Sequence, residues 1–276
     1  MQPMLHRFTL LAVIIFFFSC SKSNPPARSI ANNDVVETSP PYQQPYTVFI
    51  NQYIGGYYEA LPAHYATTDK KYPLLLFLHG GGQVGDGDKD LPLVLNDGVA
   101  KIISEKKFPP SFSVNGEQFS FIVLSPQFRA TPPDSMVMSF LSFALKKYRI
   151  DPARVYLTGL SMGGVLTSTL AGTHTATFAA AVPIAGESFG ADRDANAASI
   201  ASGGLALWAF HNANDPTFSS TAATEFVNSI KSFNPVVQPR LTIFPAFGHD
   251  AWTAALDPLY RENNMNVYEW MLHYKR

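Results

Sequence analysis

Five apolar residues in unbroken succession, Leu74-Leu75-Leu76-Phe77-Leu78, mark a strand buried on both faces. Comparable runs recur along the chain at Phe119 to Ser125, Val155 to Thr158, Ala179 to Ala185, Leu205 to Phe210 and Arg240 to Phe244. Between them lie stretches with apolar residues at helical spacing: Asn96 to Lys106, Ser135 to Tyr148, Val165 to Ala171, Ala222 to Ser232 and Val267 to Tyr274. A Pro/Ser/Gly-rich stretch after Lys106 reads as a plain loop. Tyr46 to Ile50 and Tyr57 to Pro62, separated by Gly55-Gly56, read as an early antiparallel pair. Strand–helix alternation of this kind predicts an α/β domain with a mostly parallel sheet of about eight strands and helices on both faces.

The first residues break this pattern. His6 and Arg7 precede the apolar run Phe8 to Phe18, which is followed by Ser19 and the chain's single cysteine, Cys20. About eleven apolar residues are too few to cross a bilayer and suit a signal-peptide core. Ser19-Cys20 resembles the cleavage box of a bacterial lipoprotein, with Cys20 as the lipid-bearing residue, although Phe17 and Phe18 stand where Leu and a small residue are usual. The expected organisation is a signal peptide at 1–19, a disordered Ser/Pro/Asn-rich tether at 20–45 and one domain at 46–276. That localisation is exported and membrane-anchored, through the lipid alone. With the leader removed roughly 255 residues remain, enough for one full core.

Composition removes several classes. A formal net charge of −1 offers no basic footprint for nucleic acid. One cysteine forbids a disulfide framework, and no Cys/His cluster or carboxylate repeat suggests a metal. No cofactor motif is present.

The chemistry concentrates in Gly159-Leu160-Ser161-Met162-Gly163, which sits between a predicted strand and a predicted helix. In that context Gly-x-Ser-x-Gly forms a tight elbow that presents the serine as a nucleophile. Asp215 and His249 each follow a later predicted strand, so parallel strands bring all three residues to one edge of the sheet. A serine hydroxyl needs a base, here His249, and the base needs an acid to fix its tautomer, here Asp215. The competing acids are less well placed: Asp192 and Asp194 fall in an exposed helical segment, and Asp250 adjoins the base itself. The oxyanion donors expected are the backbone N–H groups of Met162 and one of Gly80 to Gly82, with Gly81 taken as the representative. His79 and His211 are read as turn-forming, hydrogen-bonding histidines, Trp252 as core packing ahead of a substrate platform, and Glu187 as an exposed loop carboxylate ahead of a residue lining the mouth of the site.

With His79-Gly80-Gly81-Gly82, the Ser161 elbow, Asp215 and Gly248-His249 in this order, the chain resembles the α/β-hydrolases of the group that includes feruloyl and acetyl-xylan esterases (carbohydrate esterase family 1), polyhydroxyalkanoate depolymerases and dienelactone-hydrolase-like proteins. The resemblance runs from about Tyr46 to the end and departs at Asn212, where the group often has Gly; Asn fits there if the position needs positive φ. It implies a serine esterase acting on feruloyl, acetyl or other acyl groups of polysaccharides, with no cofactor. Fewer than about twenty residues separate Gly186 from Leu205, too few for a large lid. Two other functions fit the same residues: a serine peptidase of the prolyl-oligopeptidase-like branch, and a non-catalytic surface lipoprotein that binds glycans. The oligomeric state is left open.

Overall fold

The computed structural model describes residues 35–276 apart from Phe189. The expected signal peptide, Cys20 and the tether as far as residue 34 lie outside the described residues. The tether's expected end at Pro45 is corrected. Glu37 is buried, accepting the backbone N–H of His64 at 3.0 Å and pairing with its Nδ1 at 2.8 Å. Strand β1 already begins four residues before the expected start and spans Tyr42–Asn51. Pro45 hides this strand from pattern reading, but β1 lies at the sheet edge, where proline is tolerated.

β1 pairs antiparallel with β2 (Ile54–Leu61), and β2 antiparallel with β6 (Ile122–Phe128). The remainder is parallel: β3 (Tyr72–Leu78), β7 (Ile150–Leu160), β8 (Ala180–Ile184), β9 (Ala206–Asn214) and β10 (Arg240–Phe247). The spatial order β1-β2-β6-β3-β7-β8-β9-β10 is an 8-stranded sheet, as expected. A small separate hairpin, β4 (Phe112–Val114) with β5 (Glu117–Phe119), occupies the stretch expected to be plain loop. Its signal was present: Asn115 and Gly116 form a two-residue turn with φ of 52° and 81°, the geometry that favours Asn-Gly.

Each central strand feeds two cores by alternation. Leu74, Leu76 and Leu78 join one core together with α2 (Asp134–Lys147), α3 (Met162–Thr173), α4 (Arg193–Gly203) and α5 (Ser220–Ser232). Leu75 and Phe77 point into the other, built with α1 (Gly98–Ser104), α6 (Trp252–Ala255), α7 (Val267–Leu272) and the hairpin. That two-sided burial is why β3 reads as an uninterrupted apolar run. The helix expected over Asn96 to Lys106 is shorter, because a 3-10 segment (Leu91–Asn96) precedes it and Gly98 turns at φ +65°. A Cβ at Gly98 would lie 2.2 Å from the Phe77 ring, so the chain can start α1 this close to β3 only with glycine. Among the described residues, the connection from β8 to β9 carries one full helix, α4, packed between α3 and α5.

Candidate active site

Ser161 lies between β7 and α3 with φ 53° and ψ −118°, a conformation that costs a non-glycine residue about 1–3 kcal/mol. Close packing holds it there. A Cβ on Gly163 would sit 2.0 Å from the Leu78 carbonyl oxygen, and one on Gly159 would sit 2.3 Å from that of Gly163. The two glycines of the motif are therefore where helix and sheet backbones touch. The Ser161 N–H donates to the Ile184 carbonyl at 2.9 Å, tying the turn to β8.

Asp215 follows β9 and His249 follows β10, and the structure brings both to Ser161. His249 Nε2 lies 2.8 Å from Ser161 Oγ, and its Nδ1 2.7 Å from Asp215 Oδ2. The other carboxylate oxygen, Oδ1, accepts the backbone N–H groups of Thr217 at 2.7 Å and Phe218 at 3.2 Å. Burial alone would raise the Asp215 carboxyl, but the His249 hydrogen bond and these two N–H donors outweigh it and hold the group below its ordinary range. The competing acids are elsewhere: Asp192 and Asp194 are exposed around the start of α4, and Asp250 is exposed and accepts from the N–H and hydroxyl of Thr253.

Asn212 corrects its expected rationale. It is not among the described residues with positive φ; it is a buried β9 residue whose Nδ2 donates to the Gly248 carbonyl at 2.9 Å. Its amide thus anchors the loop that carries His249. Two aromatic rings contact the imidazole: Phe218, at a centroid distance of 5.6 Å, and Trp252, edge-on at 5.2 Å. Trp252 is partly buried against the core, as expected, but also donates from Nε1 to Asp97 Oδ1 at 3.1 Å. Asp97 occupies the N-cap position of α1 without capping it, and its Oδ2 accepts instead from Gln83 Nε2 at 2.6 Å. With Gly98, Ile102 and Leu259, Trp252 lines a cleft of about 510 Å³; Ser161, Asp215 and His249 do not line it.

The loop after β3 is set by His79. This ring is buried, its Nδ1–H donates to the Gly80 carbonyl at 2.7 Å, and its Nε2 accepts the Phe128 N–H at 2.8 Å. Gly81 then opens a 3-10 turn (Gly81–Gln83), as Met162 opens α3. Burial is the main reason the His79 imidazole is pushed down to about 4. Folded His79 therefore stays neutral while the unfolded chain takes up a proton below about pH 6.5. The stability it supports is complete above that value and is lost as pH falls towards 4, in total about 3 kcal/mol. The expected result is a steep fall in melting temperature from pH 6.5 to 4, flattened in His79→Gln, which offers a donor and an acceptor but no titration. Parallel curves for the two proteins would contradict it.

Glu187 is the residue that sequence reading misplaced. It is buried at 2% exposure, not an exposed loop carboxylate, and its oxygens lie 3.2 and 3.3 Å from Nδ1 of fully buried His211. His211 is a hydrogen-bonding residue, as expected, and its Nε2 faces the Phe218 carbonyl at 3.0 Å and Asp215 Oδ2 at 3.2 Å.

Known proteins resemble parts of this sequence and its fold. Residues 133–189, from the start of α2 through the Ser161 elbow to β8 and Glu187, match the model of the prolyl oligopeptidase family. A stretch of 39 residues is 54% identical to poly(3-hydroxyalkanoate) depolymerase C of Paucimonas lemoignei, covering 14% of this chain and 9% of that protein. Among solved structures, a thermostable esterase superposes with TM-score 0.56 at 21% identity, over 86% of this chain and 63% of that one. The feruloyl esterase module from Clostridium thermocellum, complexed with sinapinate, gives TM-score 0.56 at 17% identity, over 83% of this chain and 89% of that one. The chain thus spans under two thirds of the thermostable esterase and a small part of the depolymerase. Its architecture is the α/β-hydrolase fold, as the resemblance in the sequence implies.

Proposed function

We propose that this protein is a serine hydrolase that cleaves carboxylic esters through an acyl-enzyme. One observation carries the reading: the line of hydrogen bonds from Ser161 Oγ through His249 to Asp215, at 2.8 and 2.7 Å. An ionised carboxylate only accepts, so the His249 proton resides on Nδ1 and the Nε2 lone pair faces the serine hydroxyl. Nε2 takes the hydroxyl proton as Oγ attacks the ester carbonyl and returns it to the departing alcohol. The same base then deprotonates water to release the acid. We assign the oxyanion to the N–H groups of Met162 and Gly81, because the first N–H groups of helical turns have no intrahelical acceptor. Each such donor is worth about 3–4 kcal/mol of barrier.

For the substrate we infer feruloyl, acetyl or similar acyl groups carried by polysaccharides. Support comes from the fold shared with solved feruloyl esterases, and from a β8–β9 connection in which the described residues form only α4 and a short turn, with no lid. We also infer export and anchoring through Cys20, from the leader alone; membrane fractionation of cells expressing Cys20→Ser tests that inference, and an unchanged membrane fraction would contradict it. The enzyme test is a panel of p-nitrophenyl acetate, p-nitrophenyl butyrate, methyl ferulate and acetylated xylan, with one peptide amide. Turnover of the small esters and of at least one polysaccharide-type substrate is expected, with the amide left intact. Failure on every ester would overturn the proposal.

The match of residues 133–189 to the prolyl oligopeptidase family favours a second reading, a serine peptidase. Preferential cleavage of the amide would select it. Glycan binding without turnover would instead indicate a non-catalytic surface protein.

A further inference from the structure

We propose that His211 is an imidazolium locked between Glu187 and Asp215, and that its buried positive charge tunes the basicity of His249 through the carboxylate the two histidines share. The inference rests on His249 being the base of the proposed reaction. It gives positioning roles to two residues, Glu187 and His211, that lie behind the Ser161–His249–Asp215 line.

The argument begins with proton counting. Every polar neighbour of the His211 ring nitrogens is an acceptor: Glu187 at Nδ1, and the Phe218 carbonyl and Asp215 Oδ2 at Nε2. A neutral imidazole has one N–H and one lone pair, so one of its nitrogens would face an oxygen without a hydrogen between them. Inside the protein that arrangement is costly, whereas an imidazolium satisfies both sides. The two Glu187 oxygens lie 3.3 and 3.2 Å from Nδ1; burial pushes the Glu187 carboxyl upward, while the hydrogen bond to His211 and the charge on that ring pull it down. Burial alone would lower the His211 pKa, but the two carboxylates and the carbonyl outweigh it and the net direction is upward.

No other charged side chain intervenes among the described residues around the pair. Asp250 is turned to Thr253, and Arg193 on the neighbouring helix α4 is engaged by Asp194 and by Glu225 of α5. Beside Glu187, Ser188 accepts from Asn196 Nδ2, a neutral contact. The result is an alternating row: Glu187 negative, His211 positive, Asp215 negative, and then His249, which gains its own charge during catalysis. Both histidines address the same oxygen, Asp215 Oδ2, at 3.2 and 2.7 Å. A cation already on that oxygen makes a second one, on His249, less favourable.

The experiment has two arms. In the wild-type protein at about pH 7, long-range ¹H–¹⁵N correlation of the imidazoles should show both His211 nitrogens protonated; a neutral ring there overturns the proposal. In the second arm, Glu187→Gln removes the counter-charge while its amide can still donate to Nδ1, so His211 becomes neutral and keeps its Nε2–H. The acid limb of kcat/KM on p-nitrophenyl acetate should then move up by about half to one pH unit, and Glu187→Asp should restore most of it. A merely structural role would lower the plateau or the melting temperature without moving the limb. An unmoved limb in a cooperatively folding Glu187→Gln protein overturns the proposal. If that variant fails to fold, the wild-type spectrum decides. Absence of any ester turnover would count against the parent reading, while the spectrum would still judge this one.

Discussion

Replacement of Ser161 by alanine is expected to lower kcat/KM on p-nitrophenyl acetate by about a hundred-thousand-fold or more, and to abolish labelling by a fluorophosphonate probe. The magnitude follows from what the side chain supplies. Without Oγ no acyl-enzyme forms, and only binding and oxyanion stabilisation of a direct attack by water remain. The substitution should leave the fold intact. Alanine carries the same Cβ into the same strained backbone, and the N–H bond to Ile184 does not involve the side chain. Thermal melting therefore serves as the control, with a change within about 1 kcal/mol. Retained labelling, or a loss of less than about tenfold, would remove Ser161 from the mechanism.

The second large effect belongs to Asp215→Asn, expected to reduce kcat by about ten-thousand-fold with little change in KM. Local geometry makes this substitution more severe than its conservative look. The Thr217 and Phe218 N–H groups both donate to Oδ1. They will hold the new amide oxygen at that site, turning its NH₂ towards His249 and His211. His249 Nδ1 must then accept, so its proton moves to Nε2, and the nitrogen facing Ser161 loses its capacity as a base. The same NH₂ also opposes the Nε2–H of His211. Pre-steady-state kinetics on p-nitrophenyl acetate separate acylation from deacylation, and both should slow because His249 is the base in each. A loss below about tenfold would point to another acid, with Asp250 the first to examine.

The sequence disclosed most about the parts of this molecule that are local or repetitive. The β3 run was readable because both sheet faces are covered, and the Ser161 elbow because two glycines at fixed spacing are required where helix meets sheet. Asp215 and His249 could be chosen because parallel strands deliver the loops after β9 and β10 to one edge. Glu187 could not be placed by this logic. Gly186-Glu187-Ser188 looks like any polar loop, and its burial is decided by His211, which lies 24 residues further on. Asn212 had the right identity and the wrong reason: its backbone is ordinary strand, and the amide matters for reaching Gly248 across to the next loop. β1 was truncated because Pro45 penalises a strand in general but not at an edge. These misses share a cause, since each depends on a partner far away in the chain rather than on the residue's neighbours.

Asp97 has a bearing on how this protein could be reshaped. Its two oxygens fasten Gln83, in the loop proposed to hold the oxyanion, to Trp252, which borders both His249 and the neighbouring cleft. Selectivity and turnover are thereby geared together: a smaller residue at position 252 widens the cleft and also frees one end of the clasp on the loop beside Gly81. Libraries that vary position 252 alone will trade substrate range against rate, whereas libraries that vary positions 83, 97 and 252 as a unit can search for a new clasp along with a new cleft.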